Sequence, residues 1–363
     1  MSVTSVNLAV TPFISSCDST RLNMAAKQFS QSLTHINCEK PYIINNEWST
    51  LTNSSSLGIK IAKKDGKVIY NKNDLIIINY NDGETEVVNI NPTQQTTSIY
   101  ASSLRNSLKQ GSEFNKNDII YEYDSFYEGI PSSGYNVSTM YCPFFGYNHE
   151  DSLIISENFA NRAKHKYCET IYIPITEYTL FSKLYDNAIK YFPDVGEHIN
   201  GHIVCSSLLP KNIKSCTEFN NSSIKSQVLS LFQSMNLSDL INIKISNGKN
   251  NFSSENINTS IENGIVSGFK IHKIKKDIKL IDSELQEIIE KLYKRYNIYI
   301  LNLYNDLNKI VNDSFAKSIL REYYIYADRE KIRKNIDLSD IVYIIEMEIS
   351  KEVSAHLGDK MSS

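Results

Sequence analysis

Short alternations of apolar and polar residues dominate the first third of the chain. In "GIKIAKKDGKVIYNKNDLIIINYNDGETEVVNI" (58–90) the period is two, which predicts short strands. Lys64-Asp65-Gly66 and Asn81-Asp82-Gly83 read as hairpin turns, because glycine accepts the positive φ such turns demand. Ahead of them "VNLAVTPFI" is apolar and β-like. "DSTRLNMAAKQFSQSL" predicts a short helix capped by Asp18, with Leu22, Ala25, Ala26 and Phe29 at helical spacing. A further β region extends to Arg162; in it "KQGSEFNKNDIIY" is a turn into a strand and "DSLIIS" (151–156) re-enters a buried strand.

Beyond Arg162 the pattern changes. "PDVGEHINGHIVCSSLLP" reads as strand and turn, and 211–263 is polar and rich in Ser and Asn. That segment holds one amphipathic island, 226–243, with Val228, Leu231, Phe232, Met235 and Leu240 near helical spacing. "NGIVSGFKIHK" restores a strand. From Asp277 to about Asn312 the period is helical, as one helix or an antiparallel pair. "DIVYIIEMEISKEVSAHLGDKMSS" is a strand that stops at a Gly-Asp-Lys turn. The whole predicts an α+β, β-rich chain.

With 363 residues the chain is long enough for about two domains. Its net charge of -3 argues against a free-standing nucleic-acid-binding domain, but not against one basic patch on a larger assembly. The six cysteines form no C-x-x-C pair, which disfavours a zinc knuckle or disulfide framework and suits reduced thiols in a cytosolic protein. No signal-peptide pattern or membrane-length apolar run occurs, so no membrane association is expected. Asn, Ile, Lys and Tyr are plentiful, as in proteins of A/T-rich genomes.

Four features carry candidate chemistry. Glu150 and Asp151 stand side by side in "CPFFGYNHEDSLIIS", after the second of two Gly-Tyr-Asn copies. Adjacent carboxylates approach a hard cation through water or pair with Lys and Arg; pattern alone equally describes, and favours, a solvated turn. Arg21, Lys27 and Gln31 on the first helix suit a polyanion backbone or a plain polar surface. "GDKM" (358–361) presents Lys360 at a turn, where it can meet a phosphate as a point charge, or is an ordinary tail. His198 and His202 are four apart, but Gly201 and its neighbours read as turn and strand, which spoils a metal geometry. No phosphate-loop, dinucleotide or Asp-x-Asp-x-Asp motif occurs, so the chain shows no complete catalytic set of its own.

In order, "TPFISSCDSTRLNMAAKQFSQ", "GYNVSTMYCPFFGYNHEDSLIISE", "GIVSGFKIHK" and "GDKM" resemble successive landmarks of one family. It is the second-largest subunit, β in bacteria, of multisubunit DNA-dependent RNA polymerases; the Gly-Tyr-Asn-x-Glu-Asp-Ser element is the most specific. The resemblance implies a hybrid-binding region over 1–165 with the first part of an incomplete double-psi β-barrel. It further implies a flap-like domain over 166–272 with its tip helix near 226–241, a helical segment over 273–315, and a barrel return strand over 316–363.

By the same resemblance, Glu150 and Asp151 match an acidic pair beside the nucleotide-bound Mg2+, direct or through water. Lys360 matches the first of two lysines reaching the RNA 3′ end and the incoming nucleotide. Arg21 and Gln31 match positions lining the RNA–DNA hybrid. Lys27, also placed there, stands where bacterial members carry asparagine. Arg162 resembles an arginine of the archaeal and eukaryotic versions, and is expected at nucleic acid or nucleotide. Expected partners are β′-like subunits that hold the Mg2+ principally, and β-like fragments carrying the N-terminal lobes and the Arg-His-Gly-Asn-Lys-Gly continuation. A promoter-specificity factor at the flap, DNA template and RNA complete the set. The split arrangement resembles giant bacteriophages, which implies the cytoplasm of an infected bacterium, or a phage-associated compartment or virion. The alternative is a non-catalytic scaffold or docking subunit of a transcription complex.

Overall fold

The computed structural model describes residues 16–40, 58–72, 75–90, 93–95, 100–132, 134–150, 152–177, 179–181, 191–210, 252–274, 278–280, 282–324 and 341–359. They are β-rich with few helices, an α+β chain. Two compact units are present: Met1–Cys168 with Glu352–Ser363, and Glu169–Lys351.

In the first unit, helix α1 (Ser19–Gln31) starts as its sequence dictates. The Asp18 carboxylate accepts from the Thr20 amide at 3.1 Å, covering an amide that lacks a helical partner, and its carbonyl accepts the first intrahelical bond, from Leu22 at 3.0 Å. Strands β1 (Ile59–Ile61), β2 (Gly66–Lys72), β3 (Leu75–Tyr80), β4 (Thr85–Asn89), β5 (Thr93–Gln95), β6 (Tyr100–Ser107), β7 (Glu113–Phe114) and β8 (Ile119–Tyr123) follow. Four make an antiparallel sheet in the order β4-β3-β2-β7. β2 alternates as expected, whereas Ile76, Ile77 and Ile78 of β3 are all fully buried, as in a strand covered on both faces. β1-β8-β6 form another run, with β5 on β6. Val68, Ile76, Ile78, Tyr80, Phe114 and Ile120 belong to the main apolar cluster.

The two glycines expected in hairpin turns differ. Gly83 has φ +88° and its amide bonds the Tyr80 carbonyl at 2.9 Å, closing β3 to β4. Gly66 instead begins β2, outside the left-handed region, and β1 pairs with β8. It is needed for proximity: a Cβ there would lie 2.5 Å from the Asn79 carbonyl oxygen and 2.9 Å from Phe114 Cζ.

A small hairpin, β9 (Phe126–Tyr127) with β10 (Ile130–Pro131), precedes the loop at 134–156, and helix α2 (Glu157–Arg162) follows it. The expected buried strand at "DSLIIS" does not form among the described residues 152–156. Leu153 is 67% exposed, with Ile154 and Ile155 also open to solvent. The reason is local: no strand edge pairs with this run, and Ser156 turns the chain into α2 by accepting from the Phe159 amide at 3.2 Å. Regular pairing resumes with β11 (Lys164–Thr176), where Lys166 lies opposite Ala101 of β6.

In the second unit, β12 (Leu180–Phe181), β13 (Ile203–Pro210) and β14 (Phe252–Asn258) form a three-stranded antiparallel sheet. β15 (Ile265–Lys273) pairs antiparallel with β16 (Ile341–Ser354). The stretch expected to be helical, Asp277 to about Asn312, holds one helix, α3 (Ser283–Asn308), and a second, α4 (Asp313–Tyr324), follows beyond it. Asp282 caps α3 through the amides of Glu284 and Leu285, and Asn312 caps α4 through that of Phe315. Leu285, Ile289, Ile300, Leu303 and Leu307 form the buried stripe of α3. His198 sits in an isolated bridge to Ile265 and His202 in a turn, as read from Gly201. The amphipathic island at 226–243 lies outside the described residues.

Candidate functional site

Every candidate residue belongs to the first unit, and Asp151 and Lys360 fall outside the described residues. On α1, Arg21, Lys27 and Gln31 are exposed. With about 100° per residue, the three fall within an arc of about 120°, with Gln31 between the other two. Half-buried Leu22 and Ala26 lie opposite, with half-buried Ala25 on the flank beside Arg21. Arg21 donates to Met24 Sδ at 3.7 Å along the same exposed side. The expected shared polar face is therefore present.

The two Gly-Tyr-Asn copies are both structural. Asn148 accepts from the Phe144 amide at 2.9 Å and donates to the Cys142 carbonyl at 2.6 Å. That closes a turn in which Phe145 and Gly146 have φ +51° and +82°. Glu150 follows, exposed and itself at φ +55°. Around this turn Tyr141 is 99% exposed and Phe145 87%, with Met140 and Tyr147 also open to solvent. Such a run of exposed large apolar side chains is the signature of an interaction surface.

In the first copy, Asn136 donates from its backbone amide to Glu39 Oε2 at 3.0 Å and from Nδ2 to the Lys40 carbonyl at 2.8 Å. Tyr135 places its hydroxyl between two carbonyls, those of Ile36 and of Arg162, the latter at 3.0 Å. Burial, with Cys38 and Asp124 nearby, pushes this phenol up to about 12, so it keeps the proton it donates. Arg162 donates from Nη2 to Glu39 Oε1, and its guanidinium lies 4.5 Å from the centre of the Tyr135 ring. Arg162 is thus engaged by protein groups on two sides.

Around this cluster the segment 35–40 is strapped to its neighbours. The Ile36 amide donates to the Lys164 carbonyl at 2.8 Å, and Glu39 to the Gly134 carbonyl at 3.0 Å. Arg105 donates to the carbonyls of Cys38 and Phe126 while lying over the Tyr127 ring. Buried Asp124 accepts from the Asn37 amide at 3.1 Å; burial holds its carboxyl above the usual range against those donors. The end of β16 arrives here too. The Ala355 amide donates to the Ala160 carbonyl at 3.3 Å, and Gly358, at φ +93°, turns the chain so that Asp359 accepts from the His356 amide. His165 senses this turn. Burial, then His35, lowers its pKa, Asp359 opposes and His356 adds to the lowering. Segments 35–40, 134–136 and 355–359 therefore converge about α2, although the sequence separates them by up to about 320 positions.

Glu39, Tyr135 and Asn148 were not among the sequence candidates. The doubled Gly-Tyr-Asn was the one signal available for the latter two; Glu39 carries none. As for metal, Glu150 offers oxygen ligands suited to a hard cation. Among the described residues, no three His, Cys, Asp or Glu side chains gather to hold one.

No protein-family model matches the chain. It is 32% identical over 155 residues, 43% of its length, to the DNA-directed RNA polymerase subunit beta of Streptococcus suis (strain 05ZYH33). The same identity and coverage hold for the subunit of that name from Streptococcus pneumoniae (strain ATCC 700669 / Spain 23F-1). The matched stretch spans 13% of the length of these relatives. The chain is thus similar, over this stretch, to a part of the bacterial RNA polymerase β subunit.

Proposed function

We propose that the chain is a central, β-like part of a DNA-directed RNA polymerase that works only within a multisubunit complex. The observation that carries this reading is the 155-residue similarity to bacterial β subunits. The open aromatic surface at 140–147 supports it, since it suits a chain whose active form is covered by other chains. The finer assignments are part of the proposal: an incomplete double-psi barrel, a flap over 166–272, β′-like and further β-like partners, a specificity factor, and a phage-type split enzyme inside an infected bacterium.

In the reaction, the RNA 3′-OH attacks the α-phosphate of a nucleoside triphosphate. Mg2+, held principally by the β′-like partner, would supply charge neutralisation at the phosphates. Glu150 and Asp151 give this chain's share of the ion's surroundings, directly or through water. Lys360 faces the 3′ end and the incoming nucleotide, where a fixed positive charge stabilises the charge that builds on the phosphate. Arg21, Lys27 and Gln31 line the hybrid from the exposed side of α1, positioning backbone phosphates without reading sequence.

The test is transcript elongation by the complex reconstituted with Glu150→Gln/Asp151→Asn or with Lys360→Ala. Each is expected to slow nucleotide addition by about two to three orders of magnitude while assembly is retained. Wild-type elongation by both variants would return the chain to a scaffold or docking role.

A further inference from the structure

The segment carrying Glu150 has almost no burial of its own. Residues 137–147, 149, 150 and 152–158 are exposed, and Asn148 closes only a short turn within it. What holds the segment lies at its two ends. Tyr135 and Arg162, 27 positions apart, meet directly through the Tyr135 hydroxyl on the Arg162 carbonyl and the Arg162 guanidinium over the Tyr135 ring. Glu39 binds both ends at once: Oε2 accepts from the Asn136 amide at 3.0 Å, and Oε1 from Arg162 Nη2. Glu39 is itself anchored through its backbone, by the Gly134 carbonyl and by Ser132 Oγ at 2.6 Å.

From this geometry we infer that Glu39, Tyr135 and Arg162 form a clasp that closes the 135–162 loop, and that Arg162 is a positioning residue. Two features of the chemistry favour it. Arginine supplies a charged N–H donor and a planar stacking face together, and both are used here within the chain. Closing so long a loop costs entropy that exposed residues within it return little of, so the end contacts decide how often it opens. For catalysis the inference rests on the proposed placement of Glu150 and Asp151 at the nucleotide: an open clasp would leave that carboxylate pair poorly aimed.

Two readouts on the full chain and the assembled complex separate the questions. The first is hydrogen exchange of the Ile36 and Ala163 amides, which bond the carbonyls of Lys164 and Phe159 beside the clasp. Glu39→Gln is expected to speed their exchange about tenfold, the scale of one hydrogen bond to a charged group. Arg162→Lys keeps the charge but loses the planar face over the Tyr135 ring, and should open the loop comparably. The double variant Glu39→Gln/Arg162→Gln should cost less than the sum of Glu39→Gln and Arg162→Gln alone, because both remove the Glu39–Arg162 link. Unchanged exchange in Glu39→Gln, wild-type behaviour of Arg162→Lys, or additive effects in the double variant would each overturn the clasp. The second readout is the apparent KM for nucleotide during elongation, expected to rise about fivefold in Glu39→Gln with a smaller change in kcat. Faster exchange with unaltered elongation kinetics would leave the clasp standing and overturn its role in aiming Glu150 and Asp151.

Discussion

Glu86 shows how a single position acquires a pH dependence. It lies on β4, a quarter exposed, pairs with Lys60 at 2.5 Å and accepts from Tyr80 Oη at 2.7 Å. Burial alone would raise its carboxyl, but Lys60 and Tyr80 outweigh burial and hold it below the ordinary range. A carboxyl depressed by folding stabilises the protein above its unfolded pKa, and that contribution is lost as pH falls through the folded value. Glu86→Gln should therefore cost about 1 kcal/mol at neutral pH and flatten the acid side of the stability profile. Urea unfolding midpoints at about pH 7 and at successively more acidic pH check it, with the gap between wild type and variant narrowing as pH falls through the folded value. At the same scale, Gly66 and Gly83 were both visible in sequence as special positions. Only the fold distinguishes a glycine needed for φ from one needed because Asn79 and Phe114 press against it.

Among elements, legibility followed periodicity. α1 with its Asp18 cap, the β2 to β4 strands, β15, β16 and the helical stretch after 277 were readable because their buried faces impress a period on the chain. α4 was not, because the legible helical period ends near Asn312, the residue that caps this further helix. "DSLIIS" misled for the opposite reason. Its apolar run has the composition of a strand, but a strand also needs a partner edge, and composition does not state whether the chain provides one. The neighbouring turn offers a test at this scale. Asn148→Ala removes both hydrogen bonds that close Cys142 to Asn148, and should raise the rate of proteolytic nicking within 140–150 several-fold. Because the turn is exposed, the global unfolding midpoint should stay within about 0.5 kcal/mol of wild type.

At the scale of the whole molecule, charge and exposed surface lead to one expectation. A chain with net charge -3 and a sequence pI near 6.2 lacks the field that draws polyanions without help. Its basic residues nearest the proposed hybrid path are few, chiefly Arg21 and Lys27 on one helix. Fluorescence anisotropy of the isolated chain with an RNA–DNA hybrid should therefore show binding no tighter than about 10⁻⁶ M at physiological salt. Tight, salt-resistant binding by the chain alone would contradict the proposal that it works only within a multisubunit complex.

The sequence by itself determined the strand-rich α+β character, the capped first helix, and the order of landmarks that resembles an RNA polymerase β subunit. These are properties of period and local spacing, written in consecutive residues. The tertiary structure alone decided that segments 35–40, 134–136 and 355–359 meet about α2, and that Arg162 is taken up by Glu39 and Tyr135. It also decided that the apolar run after Glu150 stands open. Such contacts join residues up to about 320 positions apart, and no local pattern constrains partners that loop closure brings together at so small an added entropic cost.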